Sequence, residues 1–322
     1  MKIKFIDKKS KPGMKPFEYA PGWTFLYDPL AEGYDWLVVF EDLPKGMKLA
    51  VDCPKERTMF LTWEPTSVKS YSKAFTRQFG HFLSNRPPEA DRHPHYHFGR
   101  GYFPWCIGRT YGEIASMPPV EKTRLISTVC SDKRMRQTMH EARFRLTEHL
   151  KGAIPELDWF GHGIRYLEHK YDALDSYRYH VAVENHIAPG HWTEKIEDPI
   201  LAEALTFYAG DPDLGKVLPQ ESFIPIPIDD PAAAERIIKD AIAADEYSRR
   251  LSAIREAKRL LLEKYNLWAQ IISVIEEVSS QPVSDGACRR YVYARTALRK
   301  HNPLVAVSDG FGHLLRYLKG GR

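Results

Sequence analysis

RYHVAVENHIAPGHWTEKIEDPILAEALTFYAG (residues 178–210) contains two apolar runs separated by a loop and an amphipathic segment. RYHVAVE (178–184) has the apolar and β-branched residues of a buried strand, and LTFYAG (205–210) reads as a second strand. Thr193 is a suitable N-cap for a helix that the pattern extends to Leu205. A strand, a helix and another strand in this order predict parallel strands joined by a crossover helix.

The same alternation continues on both sides of this stretch. Upstream, RLISTVC (124–130) and IPELDWFG (154–161) read as strands, with an amphipathic helix from Met135 to Leu150 between them. Downstream, the prolines of ESFIPIPI (221–228) indicate an edge strand. Asp230 then caps a further helix that has Pro231 at its first position. This region therefore predicts a doubly wound parallel sheet.

The first third of the chain predicts a second α/β region. Its strands are separated by Gly/Pro-rich loops and read KIKFI, WTFLY, DWLVVF, KLAV and RTMFLTW. Aromatic residues at helical spacing predict a helix over Lys69–Leu83. We therefore expect an N-terminal domain over 1–120, a C-terminal domain over 121–280, and a helical segment over 281–322 that packs on either one.

Composition limits the classes of function. The 322 residues carry a net charge of +4 from 46 basic and 42 acidic side chains, which suits an anionic ligand without requiring nucleic acid. The four cysteines form no C-x-x-C pair, so neither a zinc knuckle nor a disulfide framework is indicated. No apolar leader and no run of about 18 apolar residues occurs. We expect a cytoplasmic protein.

Lys195 lies in the first turn of a helix, at the end where the helix dipole favours negative charge. One interpretation is an anion site, in which the free N–H groups of that turn and the Lys195 ammonium bind the same ligand. Glu194 is then expected to point about 100° away from Lys195, toward neighbouring hydroxyl groups. The other interpretation is an ordinary capped helix whose lysine is solvated.

The stretch also resembles a known family. VEN (183–185) followed by HWTEK (191–195) is similar to the signature of glycosyltransferase family 10, the α-1,3/4-fucosyltransferases. The resemblance implies that Lys195 contacts the donor diphosphate, Glu194 the sugar hydroxyls and Asn185 the nucleotide, with Thr193 in the same set. His191 stands where the family usually has tyrosine, so it is also expected at the donor.

Two weaker matches extend the resemblance to residues 56–275. RTMFLTWEPTSVK (57–69) resembles the family's N-terminal strand, which implies that Glu64 is the catalytic base. Trp63 and Pro65 replace the family's glycine and asparagine beside it. Arg143 fits the arginine that reaches the donor phosphates, although Arg136 or Arg145 can be aligned there with a small shift.

The resemblance implies a GT-B architecture, with two facing Rossmann-like domains and a catalytic cleft between them. The expected function is an inverting transfer of fucose from GDP-fucose to a hydroxyl of a cell-surface glycan, such as lipopolysaccharide. The acceptor is expected to be an oligosaccharide or a lipid-linked glycan, bound on the N-terminal side. No cofactor or metal is expected. The basic C-terminal segment is compatible with peripheral contact with an inner membrane.

Other interpretations stay open. The donor can be a different nucleotide sugar, or the chain can be a nucleotide- or nucleic-acid-binding protein, although no basic stripe with interleaved aromatics stands out. An NAD-dependent oxidoreductase is disfavoured, because this chain lacks the expected G-x-G-x-x-G after residue 130. Two patterns are formally compatible with a metal: Asp211-Pro212-Asp213, and the alternating His93, His95 and His97. For the histidines, a loop that contacts the acceptor is preferred.

Overall fold

The computed structural model describes residues 1–8, 20–64, 66, 69–99, 105–134, 139–280 and 290–307. The chain forms two compact units. Unit 1 combines Met1–Gly99 with Ile271–Arg322, and unit 2 is Arg100–Gln270. Among the described residues, no helix has both the length and the apolar character needed to span a bilayer.

Unit 1 is built on a six-stranded parallel sheet. In chain order its first elements are β1 (Lys2–Asp7), β2 (Thr24–Leu26), β3 (Trp36–Phe40), β4 (Lys48–Val51), β5 (Thr58–Thr62), α1 (Lys73–Thr76), β6 (His81–Ser84), α2 (Pro88–Asp91) and β7 (Tyr96–Phe98). The strand order is β2-β1-β3-β5-β6-β7, and every neighbouring pair is parallel. β3, β5 and β6 are buried along their whole lengths, as expected for central strands covered on both faces.

The helix predicted over Lys69–Leu83 is wrong in extent. Ser72 caps only the short α1, and the chain then enters β6. A Cβ on Gly80 would lie 2.3 Å from the carbonyl oxygen of Lys55, so only glycine fits at this transition. The aromatic spacing instead reflects packing around Phe60, whose ring centroid lies 5.2 Å from that of Phe75 and 5.0 Å from that of Phe82. Tertiary contacts therefore decide the conformation.

Unit 2 contains the predicted alternation of strands and helices. Its elements are α3 (Tyr111–Ser116), β8 (Arg124–Val129), α4 (His140–Ala153), β9 (Leu157–Phe160), β10 (Tyr177–Val183), α5 (Glu194–Leu201), β11 (Leu205–Ala209), β12 (Phe223–Pro225), α6 (Pro231–Ala243) and α7 (Glu246–Glu263). The sheet has the order β12-β11-β10-β8-β9, and all its pairs are parallel. β12 is the edge strand that its prolines predict.

Local capping signals were predicted accurately in unit 2. The Thr193 hydroxyl accepts a hydrogen bond from the Lys195 N–H at 3.3 Å, and the Asp230 carboxylate accepts one from the Ala233 N–H at 2.9 Å. The helix that begins after Thr193 ends at Leu201, because Leu205 already belongs to β11. The helix predicted from Met135 is observed from His140, and residues 135–138 lie outside the described part of the chain.

The C-terminal part of the chain differs from the expected helical segment. It contains α8 (Leu267–Val278), β13 (Arg290–Tyr293) and α9 (Arg295–His301), and β13 pairs with β4 in an antiparallel ribbon. Val292 of β13 is fully buried with Leu49 and Val51 in the core of unit 1, and this contact explains the strand. The boundaries of the two compact units differ from the predicted domain boundaries at 120 and 280. Those predicted boundaries refer to independently folding domains, and they stay a prediction.

Two parallel sheets with crossover helices make both units Rossmann-like. The predicted α/β fold class with two Rossmann-like domains is confirmed by these sheets. In parallel α/β sheets, ligands bind beyond the carboxyl ends of the strands. Functional side chains are therefore expected after β8, β10 and β11 in unit 2, and after β3, β5 and β6 in unit 1.

Candidate functional site

Glu184 organises the site in unit 2 from the carboxyl end of β10. Its carboxylate is fully buried and accepts hydrogen bonds from the Thr193 N–H at 3.0 Å and from the Thr193 hydroxyl at 2.9 Å. Burial raises the pKa of Glu184, and the Lys195 ammonium opposes that shift. Sequence reasoning did not assign a role to Glu184. The available signal was a carboxylate directly after an otherwise apolar buried strand.

Lys195 points back over the start of α5 toward this carboxylate. Its Nζ lies 3.1 Å from the Thr193 Oγ1 and 3.3 Å from a carboxylate oxygen of Glu184. Burial lowers the pKa of Lys195, but Glu184 and Glu194 outweigh that effect, and the pKa is raised. The side chain is 19% exposed, so one side of a charged ammonium still reaches solvent. The interpretation as a merely solvated lysine is wrong.

Glu194 does not point away from Lys195 as expected. Its Oε1 lies 3.2 Å from the Lys195 Nζ, because the long lysine side chain folds back along the helix toward its neighbour. Burial would raise the pKa of Glu194, but Lys195 and the buried Lys170 lower it overall. The ionised Glu194 side chain is 21% exposed, so it can still accept hydrogen bonds from a ligand's hydroxyl groups.

Arg143 and Asn185 are in direct contact. Arg143 comes from α4, and its Nη1 donates to the Asn185 Oδ1 at 2.6 Å, while its Nε donates to the Cys130 Sγ at 3.2 Å. These contacts hold the guanidinium between the ends of β8 and β10. Arg143 is only 8% exposed, yet no described carboxylate forms an ion pair with it. A buried guanidinium without a described counter-ion favours an anionic ligand.

The positive field around Arg143 extends to neighbouring side chains. Burial lowers the pKa of His140, and three nearby cations lower it further: Arg143, Lys133 and Lys195. Arg143 likewise opposes the raised pKa of Lys195, which shows that the two cations act on each other. The ends of β8 and β10 therefore combine several positive charges at the amino end of α4, where the helix dipole adds to the field.

His191 lies in the loop before α5. Its side chain is only 6% exposed and its ring packs edge-to-face on His186, with 5.2 Å between the ring centroids. Burial lowers the pKa of His191 to about 4, and His186 and Lys195 contribute to the shift. His191 is therefore a neutral imidazole near pH 7, which offers hydrogen bonds without adding charge.

A cavity of about 840 Å³ opens beside this cluster at the carboxyl ends of β11 and β12. Its walls include Ile187, Tyr208, Asp211, Glu221 and Phe223. The Tyr208 hydroxyl lies 3.5 Å from the Glu184 carboxylate, so the cavity adjoins the cluster around α5. Its size and its mixture of apolar walls with a few polar groups are typical of a small-molecule site.

Asp211 supports the cavity through backbone hydrogen bonds. Its Oδ1 accepts from the Gly190 N–H and from the Asp213 N–H, each at 2.8 Å. This arrangement gives the Asp211-Pro212-Asp213 pattern a structural role in fixing the loop before Thr193. Among the residues that the structure describes, no group of three or more His, Cys, Asp or Glu side chains is arranged to hold a metal ion.

Glu64 lies in unit 1, two residues beyond the end of β5, and is partly exposed. Its carbonyl oxygen accepts a hydrogen bond from the Arg86 Nε at 2.7 Å, and Arg86 also donates to the Lys69 carbonyl at 2.8 Å. Arg86 follows β6, the neighbouring strand, so it fixes the backbone of the segment that carries Glu64. The predicted base thus occurs where a functional carboxylate is expected in a parallel sheet.

Glu41 is a second carboxylate at the same edge that sequence reasoning missed. It follows β3, has a positive φ of 66° and is only 7% exposed. Thr62 donates to it at 2.6 Å, and Lys69 and Tyr71 bind its other oxygen. Burial raises the pKa of Glu41, but Lys69 outweighs that effect and the pKa is lowered. Because both of its oxygens are occupied and its pKa is lowered, Glu41 is poorly suited to remove a proton from a ligand.

The alternating histidines lie at the other end of the unit 1 sheet. His93 and His95 precede β7, and His97 lies within it. The His97 Nε2 is 3.1 Å from the His81 Nδ1, and the His93 Nε2 is 3.3 Å from the Phe79 carbonyl oxygen. These contacts place the imidazoles at the amino ends of the strands, away from the edge that carries Glu64.

No protein-family model matches the sequence, and no curated protein matches it. The similar solved structures include an α1,3-fucosyltransferase at 13% identity and a TM-score of 0.47, covering 83% of this chain and 92% of that chain. A structure of an α1,3-fucosyltransferase with GDP-fucose aligns at 14% identity and a TM-score of 0.43, covering 82% of this chain and 90% of that chain. Anabaena HepE with UDP aligns at 9% identity and a TM-score of 0.46, covering 87% and 100%. With all three TM-scores below 0.5, any functional assignment rests on the site residues.

Proposed function

We propose that this protein is an inverting glycosyltransferase that binds a nucleotide-sugar donor in unit 2, with GDP-fucose as the donor. The observation that carries the proposal is the buried Arg143 guanidinium, which lacks a described counter-ion and touches Asn185 beside the charged Lys195. The similarity of residues 183–195 to the fucosyltransferase signature supports fucose as the sugar.

Arg143 and Lys195 would bind the two phosphates of the donor. As the bond from the sugar to the diphosphate breaks, negative charge accumulates on the leaving oxygens, and fixed cations stabilise that charge. Because these side chains are held by Asn185, Thr193 and Glu184, they need little reorganisation during the reaction. In this proposal the protein's own cations stabilise the leaving group, and no metal is required.

The remaining groups would position the donor. Glu194, ionised and still partly exposed, would accept hydrogen bonds from the sugar hydroxyls. The cavity bounded by Ile187, Tyr208 and Phe223 would hold the nucleotide base of the donor between apolar walls. Asp211 and Glu221 line that cavity and could accept hydrogen bonds from a guanine N–H edge. His191 would contact the donor as a neutral group.

Glu64 would be the catalytic base. It would remove the proton from an acceptor hydroxyl as that oxygen attacks the anomeric carbon. A single displacement by the hydroxyl inverts the configuration at that carbon. The sequence resemblance supports an oligosaccharide or lipid-linked glycan of the cell surface as the acceptor, with peripheral contact with an inner membrane if the glycan is lipid-linked.

A donor panel tests this function. Purified protein is incubated separately with GDP-fucose, GDP-mannose, UDP-glucose and UDP-galactose, and release of the nucleoside diphosphate is measured with and without a mixture of glycan acceptors. We expect GDP release from GDP-fucose above all others, in EDTA as well as in buffer. A UDP-sugar preference would replace the donor while retaining the enzyme class. No release from any donor, together with no binding of GDP or UDP, would refute a glycosyltransferase.

A further inference from the structure

A second cavity, of about 1290 Å³, lies within unit 1 at the amino ends of its strands. Three consecutive strands contribute to it: Lys55–Arg57 precede β5, His81 begins β6, and His95 precedes β7. Neighbouring strands in a sheet lie about 4.8 Å apart, so these segments span about 10 Å. Their side chains can therefore converge on one small ligand.

The cavity is rich in positive charge. Four cations line it, Lys55, Arg57, Arg77 and Arg92, against two acids, Asp35 and Glu56. All four cationic residues are exposed, and none forms an ion pair within the described residues. One carboxylate oxygen of Asp35 is already occupied, because it accepts a hydrogen bond from the Lys2 N–H at 2.7 Å. The balance of charge favours an anionic ligand.

Two buried histidines form a neutral part of the floor. The His81 Nε2 lies 3.0 Å from the Glu56 carbonyl oxygen, and a carbonyl only accepts, so this nitrogen carries the proton. The His81 Nδ1 then accepts from the His97 Nε2. His93 is fixed in the same manner, since its Nε2 donates to the Phe79 carbonyl and its Nδ1 accepts the His95 N–H. Burial lowers the pKa of His81 to about 4, which agrees with a neutral ring.

His95 differs from these two histidines. It is exposed at the cavity, and its ring has no hydrogen bond to any described residue. Its ring centroid lies 5.5 Å from that of His81 and 6.5 Å from that of His93. The neighbouring floor is apolar, formed by Trp36 and Phe79. A ligand there would meet an available imidazole and four cationic side chains above a buried floor of aromatic rings and neutral histidines.

This cavity is separate from the proposed reaction. Lys55–Arg57 precede β5 and Glu64 follows it, so a five-residue strand lies between them. At about 3.3 Å per residue, that strand spans about 16 Å. The cavity therefore lies at the edge of the unit 1 sheet opposite to the one that carries the proposed base.

We propose that this cavity is a binding site for a phosphate-bearing anion, with Arg57, Arg77 and Arg92 as the principal ligands and Lys55 and His95 as further donors. Guanidinium groups match phosphate oxygens in geometry and form strong charge-assisted hydrogen bonds. The same phosphate group occurs on a soluble metabolite and on a phospholipid headgroup. This site is independent of the donor site in unit 2.

The test uses inorganic pyrophosphate as the probe, added to the full chain at constant ionic strength. Calorimetry compares the unaltered protein with the variant R57Q/R77Q and with the control K73Q, which removes an exposed cation of α1 outside the cavity. We expect R57Q/R77Q to bind pyrophosphate at this site at least tenfold more weakly, since a hydrogen bond to a charged group contributes about that factor or more. K73Q should bind normally. In the unaltered protein, the ring signals of His95 should shift on addition of pyrophosphate in an NMR spectrum.

Two results would overturn the site: the same number of pyrophosphate sites with the same affinities in R57Q/R77Q and in the unaltered protein, or no response of His95. Sedimentation with vesicles of phosphatidylcholine, with or without phosphatidylglycerol, then separates the sources of phosphate. If the unaltered protein binds the anionic vesicles and R57Q/R77Q does not, the ligand is a lipid headgroup. Pyrophosphate binding without vesicle binding identifies a soluble phosphate compound. Both outcomes support the site. GDP binding by R57Q/R77Q should be unchanged, which keeps this test distinct from that of the donor site.

Discussion

Lys195 connects two carboxylates to the candidate donor site, and its removal has two separable consequences. In Lys195→Ala the buried Glu184 loses its cation, which should lower the free energy of unfolding by about 3 kcal/mol. Loss of a phosphate ligand should also weaken GDP binding by at least tenfold, measured by calorimetry below the unfolding temperature. Lys195→Arg is the matched control and should recover most of the stability. GDP affinity unchanged in folded Lys195→Ala would contradict the assigned contact.

Substitution of Glu64 should affect the rate of sugar transfer and leave donor binding unchanged. Glu64→Gln keeps the shape of the side chain but removes the base, so donor affinity should be retained while transfer falls by 10²-fold or more. The measurement is the rate of sugar transfer beside the Kd of GDP. Glu56→Gln is the control, because Glu56 precedes the same strand at its opposite end. Normal turnover by Glu64→Gln would show that another group removes the proton.

At the scale of elements, the start of α5 depends on the Thr193 hydroxyl. This oxygen caps the helix, donates to Glu184 and lies 3.1 Å from the Lys195 ammonium. Thr193→Ala should reduce the free energy of unfolding by about 1–2 kcal/mol, measured by urea titration. Thr193→Ser retains the hydroxyl and should lose much less. Equal losses in the two variants would mean that the methyl group, and not the hydroxyl, supports the helix.

Elements whose signals are local were predictable, and those that depend on distant partners were not. Asp230-Pro231 and Thr193 are read from neighbouring residues, and both caps occur as expected. The segment from Lys69 to Leu83 has helical spacing, but Phe75 and Phe82 both pack on Phe60, which comes earlier in the chain. The role of Glu41 likewise depends on Lys69, 28 residues away. No pattern within one segment contains such information.

At the scale of the whole molecule, buried neutral histidines should make stability depend on pH. Burial lowers the pKa of His180 to about 3, and the pKa values of His81 and His191 are each lowered to about 4. The unfolded chain takes up these protons first, near pH 6.5, so the contribution of these histidines should lower stability as the pH drops from about 6.5 toward 4. Each group contributes a slope of up to about 1.4 kcal/mol per pH unit.

Chemical denaturation at several pH values measures this slope. His180→Gln should flatten it between pH 6.5 and 4, because the glutamine does not titrate. The carboxylates with lowered pKa values, such as Glu41 and Glu194, lose their contribution only at lower pH, below their usual pKa of 4.5. An unchanged slope in His180→Gln would show that this histidine is not a source of the acid sensitivity.

The pairing of β13 with β4 has a consequence for how the protein is made. Ribosomes produce the chain from its amino end, so β4 is synthesised more than two hundred residues before its partner at Arg290–Tyr293. Every residue of unit 2 is made in that interval, as an insertion between the two parts of unit 1. Unit 2 can therefore complete its sheet during translation, while β4 stays unpaired until the segment that contains β13 has been synthesised. A stalled nascent chain ending near residue 280 would leave β4 without this partner strand, and an unpaired strand is prone to associate with other chains.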